Sequence, residues 1–232
     1  EALRQSEKLV TMGSLLAGVA HELYNPLSVV LGYANLLAQD DQGRAVERVA
    51  KLKSAAERCA RIVKNFLALA RQHPPERDVV GLAQIASEAI ELLVYQLRVD
   101  DVAVTLDFAP DLPVLWADPH QLHQVFVNLI TNAHQAMAQA APPRQLTITA
   151  RHDPPRATVT SGIADTGPGM PPEVRSRIFE PFYTTKPPGQ GTGLGLALCQ
   201  EIIVDHSGTI AVVETAPGRG TVFRIELPVK PP

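Results

Sequence analysis

The 232-residue sequence has few cysteines, no excess of basic charge and no long apolar run. Cys59 and Cys199 lie far apart, which excludes a disulfide framework and a cysteine-rich metal site. A formal net charge of −3 supplies no basic field for a phosphate backbone, so we expect no nucleic-acid partner. No apolar run reaches the roughly 18 residues of a membrane-spanning helix, so we expect a cytoplasmic chain. Because it begins with Glu1 rather than Met, we expect a piece of a longer protein, which could itself be membrane-anchored.

The first third of the sequence has apolar residues at the alternating three- and four-residue spacing of a helical bundle. The first run comprises Leu9, Met12, Leu16, Val19, Leu23, Pro26, Val30, Tyr33 and Leu37. The second run comprises Val49, Leu52, Ala56, Cys59, Val63, Phe66 and Ala70. Together they predict an antiparallel all-α hairpin over residues 1–73 with one apolar seam. The seam would be buried by dimerisation into a four-helix bundle or, alternatively, against the rest of the chain.

A pair of prolines at positions 74 and 75 ends the hairpin and begins a predicted linker, 74–80. The pattern then becomes that of a mixed α/β domain over 81–232, with Asp118 as the predicted N-cap of a helix that starts at Pro119. Predicted helices cover 82–97, 119–139 and 193–206. Predicted strands cover 102–108, 114–116, 145–151 and 157–164, followed by a hairpin at 208–227 that turns at Pro217-Gly218.

His21 is predicted to face away from the seam of the hairpin, at the outer position of its heptad. A lone histidine on a helix is usually just solvated, but Gly18, one turn earlier, costs about 1 kcal/mol relative to alanine and suggests clearance around the imidazole. Glu22 could accept the imidazole N–H proton and make the other nitrogen more nucleophilic. Asn25 shares the face and could position a water. The imidazole of His21 is therefore a candidate phosphoryl acceptor.

Residues 20–27, Ala-His-Glu-Leu-Tyr-Asn-Pro-Leu, resemble the H-box of sensor histidine kinases. That resemblance implies that His21 is autophosphorylated, that Glu22 is the assisting base, and that Asn25 aids dephosphorylation of a partner response regulator. The family usually has a polar residue where this chain has Tyr24, which could change how the kinase domain or the regulator docks.

Three further motifs point to a nucleotide site in the second domain. Asn128 and Asn132 lie four residues apart on one helix face, and their amide oxygens suit a hard cation. Asp165-Thr166-Gly167-Pro168-Gly169 follows a strand, where a carboxylate could accept a hydrogen bond from an exocyclic amine. The glycine-rich run 189–196 opens a helix and offers backbone N–H groups to phosphate. Each motif alone is weak, since it could be a solvated stripe or an ordinary turn.

In this order and spacing, the three motifs resemble the N, G1 and G2 boxes of the histidine-kinase ATPase domain, an α/β sandwich known as the Bergerat fold. The resemblance implies that Asp165 binds the adenine amino group of ATP with Thr221 as a second contact, and that Asn128 and Asn132 serve Mg²⁺ and the phosphates. It implies a mobile lid over residues 170–192. The other implied nucleotide-binding residues are Gly167, Gly169, Lys186, Gly191, Thr192, Gly193, Leu194 and Gly195.

A departure from the family lies at Thr160-Ser161-Gly162, in the strand before Asp165. Strands at this place usually have apolar residues at alternate positions, and glycine weakens a strand. We therefore expect local softness and weaker nucleotide affinity, with the site retained.

Taken together, the resemblance implies a dimeric kinase core that autophosphorylates His21 with Mg²⁺-ATP. It would then pass the phosphoryl group to an aspartate of a response regulator, with phosphatase activity toward that regulator as a further option. The upstream sensor would be absent from this chain. Two alternatives stay open: an ATP-gated clamp related to chaperones and topoisomerases, and a dimeric scaffold whose conformation nucleotide sets.

Overall fold

The structure is a computed structural model that describes residues 23–37, 47–53, 55–56, 59–60, 63, 76–138, 140–187 and 191–229. These residues group into two compact units. The first contains the helical residues up to 63 and the described part of Glu180–Gly195. The second contains the described parts of His73–Phe179 and Leu196–Pro232. No helix within the described ranges is long and apolar enough to cross a bilayer.

Two helices of the first unit run antiparallel. Helix α1 covers residues 23–37, and the described helical residues between 47 and 63 belong to α2. The Arg48 guanidinium donates a hydrogen bond to the Leu36 carbonyl at 2.9 Å, and the Lys51 ammonium lies 5.5 Å from the centre of the Tyr33 ring. The later residue of α2, Lys51, therefore contacts the earlier residue of α1, Tyr33, as in an antiparallel pair. The predicted helical hairpin is confirmed in this region.

Burial along the hairpin follows the predicted seam on α1 and departs from it on α2. The predicted seam residues of α1 are buried or half-buried, namely Leu23, Pro26, Val30, Tyr33 and Leu37. On α2, Leu52 and Cys59 are half-buried, but Ala56 is exposed and its neighbour Ala55 is buried instead. Val49 and Val63 are 51% and 40% exposed. Three of the five described members of the predicted α2 seam, Val49, Ala56 and Val63, are therefore exposed at seven-residue intervals, and Ala55 is buried in place of Ala56.

The described residues of the second unit include seven strands and four α-helices. Its strands are β1 Asp78–Val80, β2 Val102–Phe108, β3 Leu115–Ala117, β4 Arg144–Asp153, β5 Thr158–Asp165, β6 Thr209–Thr215 and β7 Thr221–Pro228. Its helices are α3 Leu82–Val99, α4 Pro119–Met137, α5 Pro172–Arg175 and α6 Gly195–Asp205, the first residue of α6 being the last of the first unit. The main sheet has the order β2-β4-β5-β7-β6, with only its β2–β4 pair parallel, and β1 pairs with β3.

One face of the main sheet forms the core of the second unit. Burial alternates along β5 and β7, because successive side chains of a strand point to opposite faces. The inward residues of β4, Leu146 and Ile148, are fully buried, and so are Val125 and Ile130 of α4. Long helices against one sheet face give a two-layer α/β sandwich, which confirms the predicted fold class.

For most of these helices and strands, the bounds predicted from local sequence patterns lie within a few residues of the observed ones. The Asp118 carboxylate caps α4 as predicted, accepting hydrogen bonds from the backbone N–H groups of His120 and Gln121 at 2.9 and 3.0 Å. The predicted strand 114–116 starts one residue later, and the predicted helix 193–206 starts at Gly195. Strand β1 has no counterpart among the predicted strands, because its residues fall in the segment 74–80 that was predicted to be a linker.

The departure at Ser161-Gly162 leaves the sheet register unbroken. Gly162 pairs with Thr149 on one side and Arg224 on the other. Ser161 faces the core with Val159 and Ile163, and its hydroxyl donates to the Thr149 carbonyl at 2.9 Å. A buried hydroxyl with a partner costs little. The expected effects on softness and affinity remain predictions.

Candidate nucleotide site

Asp165 is a buried carboxylate at the end of a central strand. It is the last residue of β5 and is 9% exposed. Its Oδ1 accepts a hydrogen bond from the Gly167 backbone N–H at 2.8 Å, and the backbone N–H of Thr221 also donates to the carboxylate. Burial raises the pKa of Asp165 to about 6, although the two N–H donors oppose this effect. The carboxylate is therefore ionised at neutral pH in a poorly hydrated place, where a hydrogen-bond donor from a ligand would be well matched.

The turn between β6 and β7 closes around the motif that follows Asp165. Gly220 has a φ of +78°, and a side chain there would overlap the Asp165 carbonyl oxygen. Gly169 has a φ of +68°, and a side chain there would overlap the Ala216 carbonyl. The Gly218 N–H donates to the Pro168 carbonyl at 2.7 Å. Glycine is thus required at 169 and 220 both for backbone conformation and for close approach.

Two threonines complete this side of the site. Thr221 pairs with Asp165 across β5 and β7 and is buried. The hydroxyls of Thr215 and Thr221 lie 3.2 Å apart, and Thr215 also accepts a hydrogen bond from the Met170 N–H at 3.0 Å. Thr221 was implied by the family resemblance, but Thr215 and Ala216 were not predicted. The alternation of a strand does not show that the turn after it will contact a loop elsewhere in the chain.

The predicted cation-binding amides lie on the helix that borders the same segment. Asn128 and Asn132 are both half-buried on α4. Ala136 lies one helical turn after Asn132 on α4. A side chain at Gly167 would lie 3.1 Å from the Ala136 Cβ, so α4 passes directly beside the segment after Asp165. The structure therefore brings Asn128, Asn132, Asp165 and Thr221 into one unit, as their family resemblance implied.

The donor set of this helix suits magnesium better than a softer metal. Among the described residues, no group of three or more His, Cys, Asp or Glu side chains is placed to hold a metal ion. A cation here would therefore depend on amide oxygens, phosphate oxygens and water. Mg²⁺ prefers such hard oxygen ligands and usually keeps several waters.

The predicted glycine-rich residues lie in the first unit, in the segment 180–195, and form a compact loop of their own. The Phe182 N–H donates to the Gly193 carbonyl at 2.9 Å, and a side chain at Gly193 would overlap the Phe182 backbone. A side chain at Gly191 would lie 2.5 Å from the Thr184 hydroxyl and 3.3 Å from carbons of Lys186. Burial lowers the pKa of the Lys186 ammonium. Lys186 and Gly191 are therefore neighbours within this loop.

The remaining predicted members of the loop form its junction with α6. The Leu194 N–H donates to the Thr192 hydroxyl at 3.4 Å, and Leu194 is fully buried. Gly195 is the first residue of α6. The loop thus leads directly into a helix N-terminus, as the sequence predicted.

The expected lid, 170–192, is packed over much of its first half. Residues Pro172–Arg175 form α5, Ile178 is buried, and the Phe179 ring meets Phe223 edge to face at 6.5 Å. Pro172 takes the first position of α5, a place that suits proline.

Of the predicted phosphoacceptor group, only Asn25 falls among the described residues. It is exposed on α1, and its neighbour Tyr24 is 71% exposed. His21 and Glu22 lie outside the described residues. The exposure of Asn25 fits the prediction that it lies on an outward-facing surface of its helix.

Comparisons with known proteins match both parts of the chain. Residues 11–75 match the family described as His Kinase A (phospho-acceptor) domain, and residues 117–231 match the Histidine kinase-, DNA gyrase B-, and HSP90-like ATPase. Sporulation kinase E of Bacillus subtilis is 36% identical over 99% of this chain. The chain spans 30% of the length of that relative.

Solved structures give the same result. Histidine kinase ThkA in complex with response regulator protein TrrA aligns with a TM-score of 0.82 and 26% identity, covering 100% of this chain and 66% of that one. Full-length ShkA in complex with AMPPNP aligns with a TM-score of 0.69 and 26% identity, covering 93% of this chain and 45% of that one. A phospho-acceptor domain joined to this ATPase domain is not the arrangement of an ATP-gated clamp. The chain belongs to the sensor histidine kinase family and comprises its catalytic core.

Proposed function

We propose that this chain transfers the γ-phosphoryl group of ATP to His21 and then to an aspartate of a response regulator. The observation that carries the proposal is the buried Asp165 carboxylate, held by two backbone N–H groups beside a helix that presents Asn128 and Asn132. The comparison with ShkA, which binds AMPPNP, supports ATP as the nucleotide.

In this proposal, Asp165 recognises the adenine ring. Its carboxylate accepts a hydrogen bond from the exocyclic amino group, and the Thr221 hydroxyl is a second polar contact. Because the backbone approaches closely at positions 169 and 220, both are glycine, and neither places a side chain in the turns beside Asp165. A guanine base has a carbonyl where adenine has the amino group, so it would face the ionised carboxylate with an acceptor and bind poorly.

Asn128 and Asn132 are the residues that would hold Mg²⁺ together with the phosphates. When bound, the ion offsets the negative charge of the triphosphate. The amide side chains supply neutral oxygen ligands. The backbone N–H groups of Gly191, Thr192, Gly193, Leu194 and Gly195, with the Lys186 ammonium, would neutralise the remaining phosphate charge.

The transfer step uses the imidazole of His21 as the nucleophile. One ring nitrogen attacks the γ-phosphorus of ATP in line with the bond to the leaving oxygen. An N–P bond forms, the bond between the γ-phosphorus and the β,γ-bridging oxygen breaks, and ADP leaves. Glu22 accepts the proton of the other ring nitrogen, so the phosphorylated ring ends neutral.

A receiver aspartate is the proposed next acceptor of the phosphoryl group. The similarity to ThkA, solved in complex with response regulator TrrA, supports such a partner. Asn25 is exposed on α1, four residues after the predicted acceptor in the sequence, and would orient a water when the regulator is dephosphorylated. We propose the boundaries 1–73 for the phosphotransfer hairpin, 74–80 for the linker and 81–232 for the ATP-binding domain.

The hairpin is proposed to dimerise into a four-helix bundle. Val49, Ala56 and Val63 are exposed at seven-residue intervals on α2, which is the spacing of a bundle seam. Such a row of apolar side chains is stabilised when a second copy covers it, and the match to the phospho-acceptor family supports this arrangement.

The test compares two histidine variants after incubation with γ-labelled ATP. His21→Ala should abolish label uptake while the affinity for ATP stays within about twofold, because His21 is not part of the nucleotide site. His120→Ala removes an exposed histidine from α4 and should retain the label. Labelling that persists in His21→Ala would contradict the assignment of the acceptor.

A further inference from the structure

Thr215 is the last residue of β6, and the proposed function does not use its side chain. A β-bulge precedes it, because the pairing of β6 with β7 shifts its register between Val212 and Glu214. In a regular strand, Thr215 would lie on the opposite face from the buried Val212, three residues earlier. The extra residue of the bulge brings both onto the same face, and bulges beside functional sites commonly redirect a side chain in this way.

The bulge places Thr215 in line with the residues that are proposed to bind adenine. Thr215 pairs with Thr221 across β6 and β7, and Thr221 pairs with Asp165 across β7 and β5. Residues directly opposite each other in a sheet share a face, with Cβ atoms about 5 Å apart. Asp165, Thr221 and Thr215 therefore form a polar row across three neighbouring strands, with Thr221 in the middle.

The Thr215 hydroxyl has three polar neighbours. Its oxygen accepts a hydrogen bond from the Met170 backbone N–H at 3.0 Å. It also lies 3.1 Å from the Gly220 carbonyl oxygen and 3.2 Å from the Thr221 hydroxyl oxygen. A hydroxyl can donate one hydrogen bond and accept two. The three contacts therefore use the full hydrogen-bonding capacity of this side chain.

The number of available hydrogens sets the direction of each contact. The Gly220 carbonyl can only accept, so it takes the single hydrogen of the Thr215 hydroxyl. The hydrogen between the two threonines must then come from Thr221. If Thr215 donated to Thr221 instead, its oxygen and the Gly220 carbonyl oxygen would face each other at 3.1 Å as two acceptors with no hydrogen between them. The only hydroxyl hydrogen of Thr221 is therefore directed at Thr215.

A Thr221 hydroxyl in this state can only accept hydrogen bonds from a ligand. The exocyclic amino group of adenine has two hydrogens, and the proposed function gives one of them to the Asp165 carboxylate. An accepting hydroxyl on the neighbouring strand suits the second hydrogen. A base with a carbonyl at that place would meet an acceptor at both residues. If the Thr221 hydroxyl were free to rotate, it could donate to such a carbonyl and tolerate the wrong base.

We infer that Thr215 is a positioning residue that holds the Thr221 hydroxyl hydrogen away from the base, so that the site selects adenine over purines with a carbonyl in place of the amino group. This inference rests on the proposed role of Asp165 and Thr221 in binding adenine. It extends that proposal, because it assigns part of the base selectivity to a residue of β6 that does not itself contact the nucleotide.

The test measures the dissociation constants of two non-hydrolysable triphosphate analogues by calorimetry, one with adenine and one with hypoxanthine as its base. Wild type should prefer the adenine analogue by about tenfold or more. Thr215→Val keeps the shape of the side chain but removes the hydroxyl, which frees the Thr221 hydrogen. The preference for adenine should then fall about threefold to tenfold. Thr215→Ser keeps the hydroxyl and should retain the wild-type preference within about twofold.

The ratio of the two dissociation constants separates positioning from support of the backbone. If the Thr215 hydroxyl only held the Met170 N–H in place, Thr215→Val would weaken the binding of both analogues equally and leave the ratio unchanged. Thr209→Val removes the hydroxyl of an exposed threonine at the other end of β6 and should change neither constant. Circular dichroism checks the fold of each variant, and Thr215→Ala takes the place of a valine variant that does not fold.

A double-mutant cycle tests whether Thr215 acts through Thr221. In the background of Thr221→Val, which has no hydroxyl hydrogen to direct, Thr215→Val should change the preference by less than about twofold. A larger change in that background would overturn the inference, as would a preference that falls by less than about threefold in Thr215→Val alone. A wild-type preference below about tenfold would instead overturn the proposed adenine contacts of Asp165 and Thr221, and the inference with them.

Discussion

The buried Asp165 carboxylate predicts an unusual dependence of stability on pH. Its pKa is about 6 in the folded protein against an ordinary 3.8, because burial disfavours the charged form. The folded state therefore binds the proton more tightly than the unfolded state does. The stability that this group contributes is fully present below pH 3.8 and is lost as the pH rises through 6.

The size of the effect follows from the two pKa values. A difference of about two pH units at 1.36 kcal/mol per unit gives about 3 kcal/mol in total. Because ionisation of the unfolded chain has begun by pH 4, about 2.5 kcal/mol of this change falls between pH 4 and pH 7. In the Asp165→Asn variant the group cannot titrate, so the wild type should lose about this much stability relative to the variant over that interval.

The assay is chemical denaturation without nucleotide, followed by tryptophan fluorescence. The chain has one tryptophan, Trp116, which lies on β3 in the same unit as Asp165 and is 44% exposed. The exposed Asp111 provides a control variant, Asp111→Asn, that measures the background change. A stability difference between wild type and Asp165→Asn that stays constant from pH 4 to pH 7 would show that folding does not raise the pKa of Asp165.

Two further predictions concern the turn beside Asp165 and the outer face of the hairpin. Gly218 and Gly220 have φ angles of +79° and +78°, but a side chain at 218 meets nothing within 4 Å. Gly218→Ala should therefore cost only about 1 kcal/mol of left-handed strain in a denaturation experiment, with nucleotide affinity unchanged, whereas Gly220→Ala should cost more and weaken nucleotide binding. Equal effects of the two would argue against close approach to Asp165. Val63→Asp should shift the protein from dimer to monomer in light scattering, and a dimer as tight as wild type would exclude α2 from the interface.

Much of the fold could be predicted from the sequence because it depends on local patterns. The strict alternation of Val102, Val104, Leu106 and Phe108 predicted β2, and the Asp118-Pro119 pair predicted the start of α4. The resemblance of the nucleotide motifs implied that Asn128, Asn132, Asp165 and Thr221 share a unit, and they do, but the glycine-rich run lies in the first unit. Each of these signals lies within a few residues of the feature that it specifies.

The parts that escaped prediction depend on residues far apart in the chain. The approach of Ala216 to Gly169 is set by the length of a turn and the register of two strands, neither of which has a local signature. The contact of the Cys199 thiol with the Val125 carbonyl depends on how α6 lies against α4. Ala55 replaces Ala56 in the buried face of α2, since two adjacent alanines give the heptad pattern no preference.

Every step of the proposed function depends on the phosphorylation of His21 by ATP. The most direct measurement incubates the protein with γ-labelled ATP and Mg²⁺ and then treats equal samples with acid and with alkali. A phosphohistidine loses its label in acid and keeps it in alkali, and mass spectrometry of the alkali-treated sample should place the modification on His21. ATP hydrolysis with no label on the protein, or a label that survives acid, would exclude phosphorylation of His21.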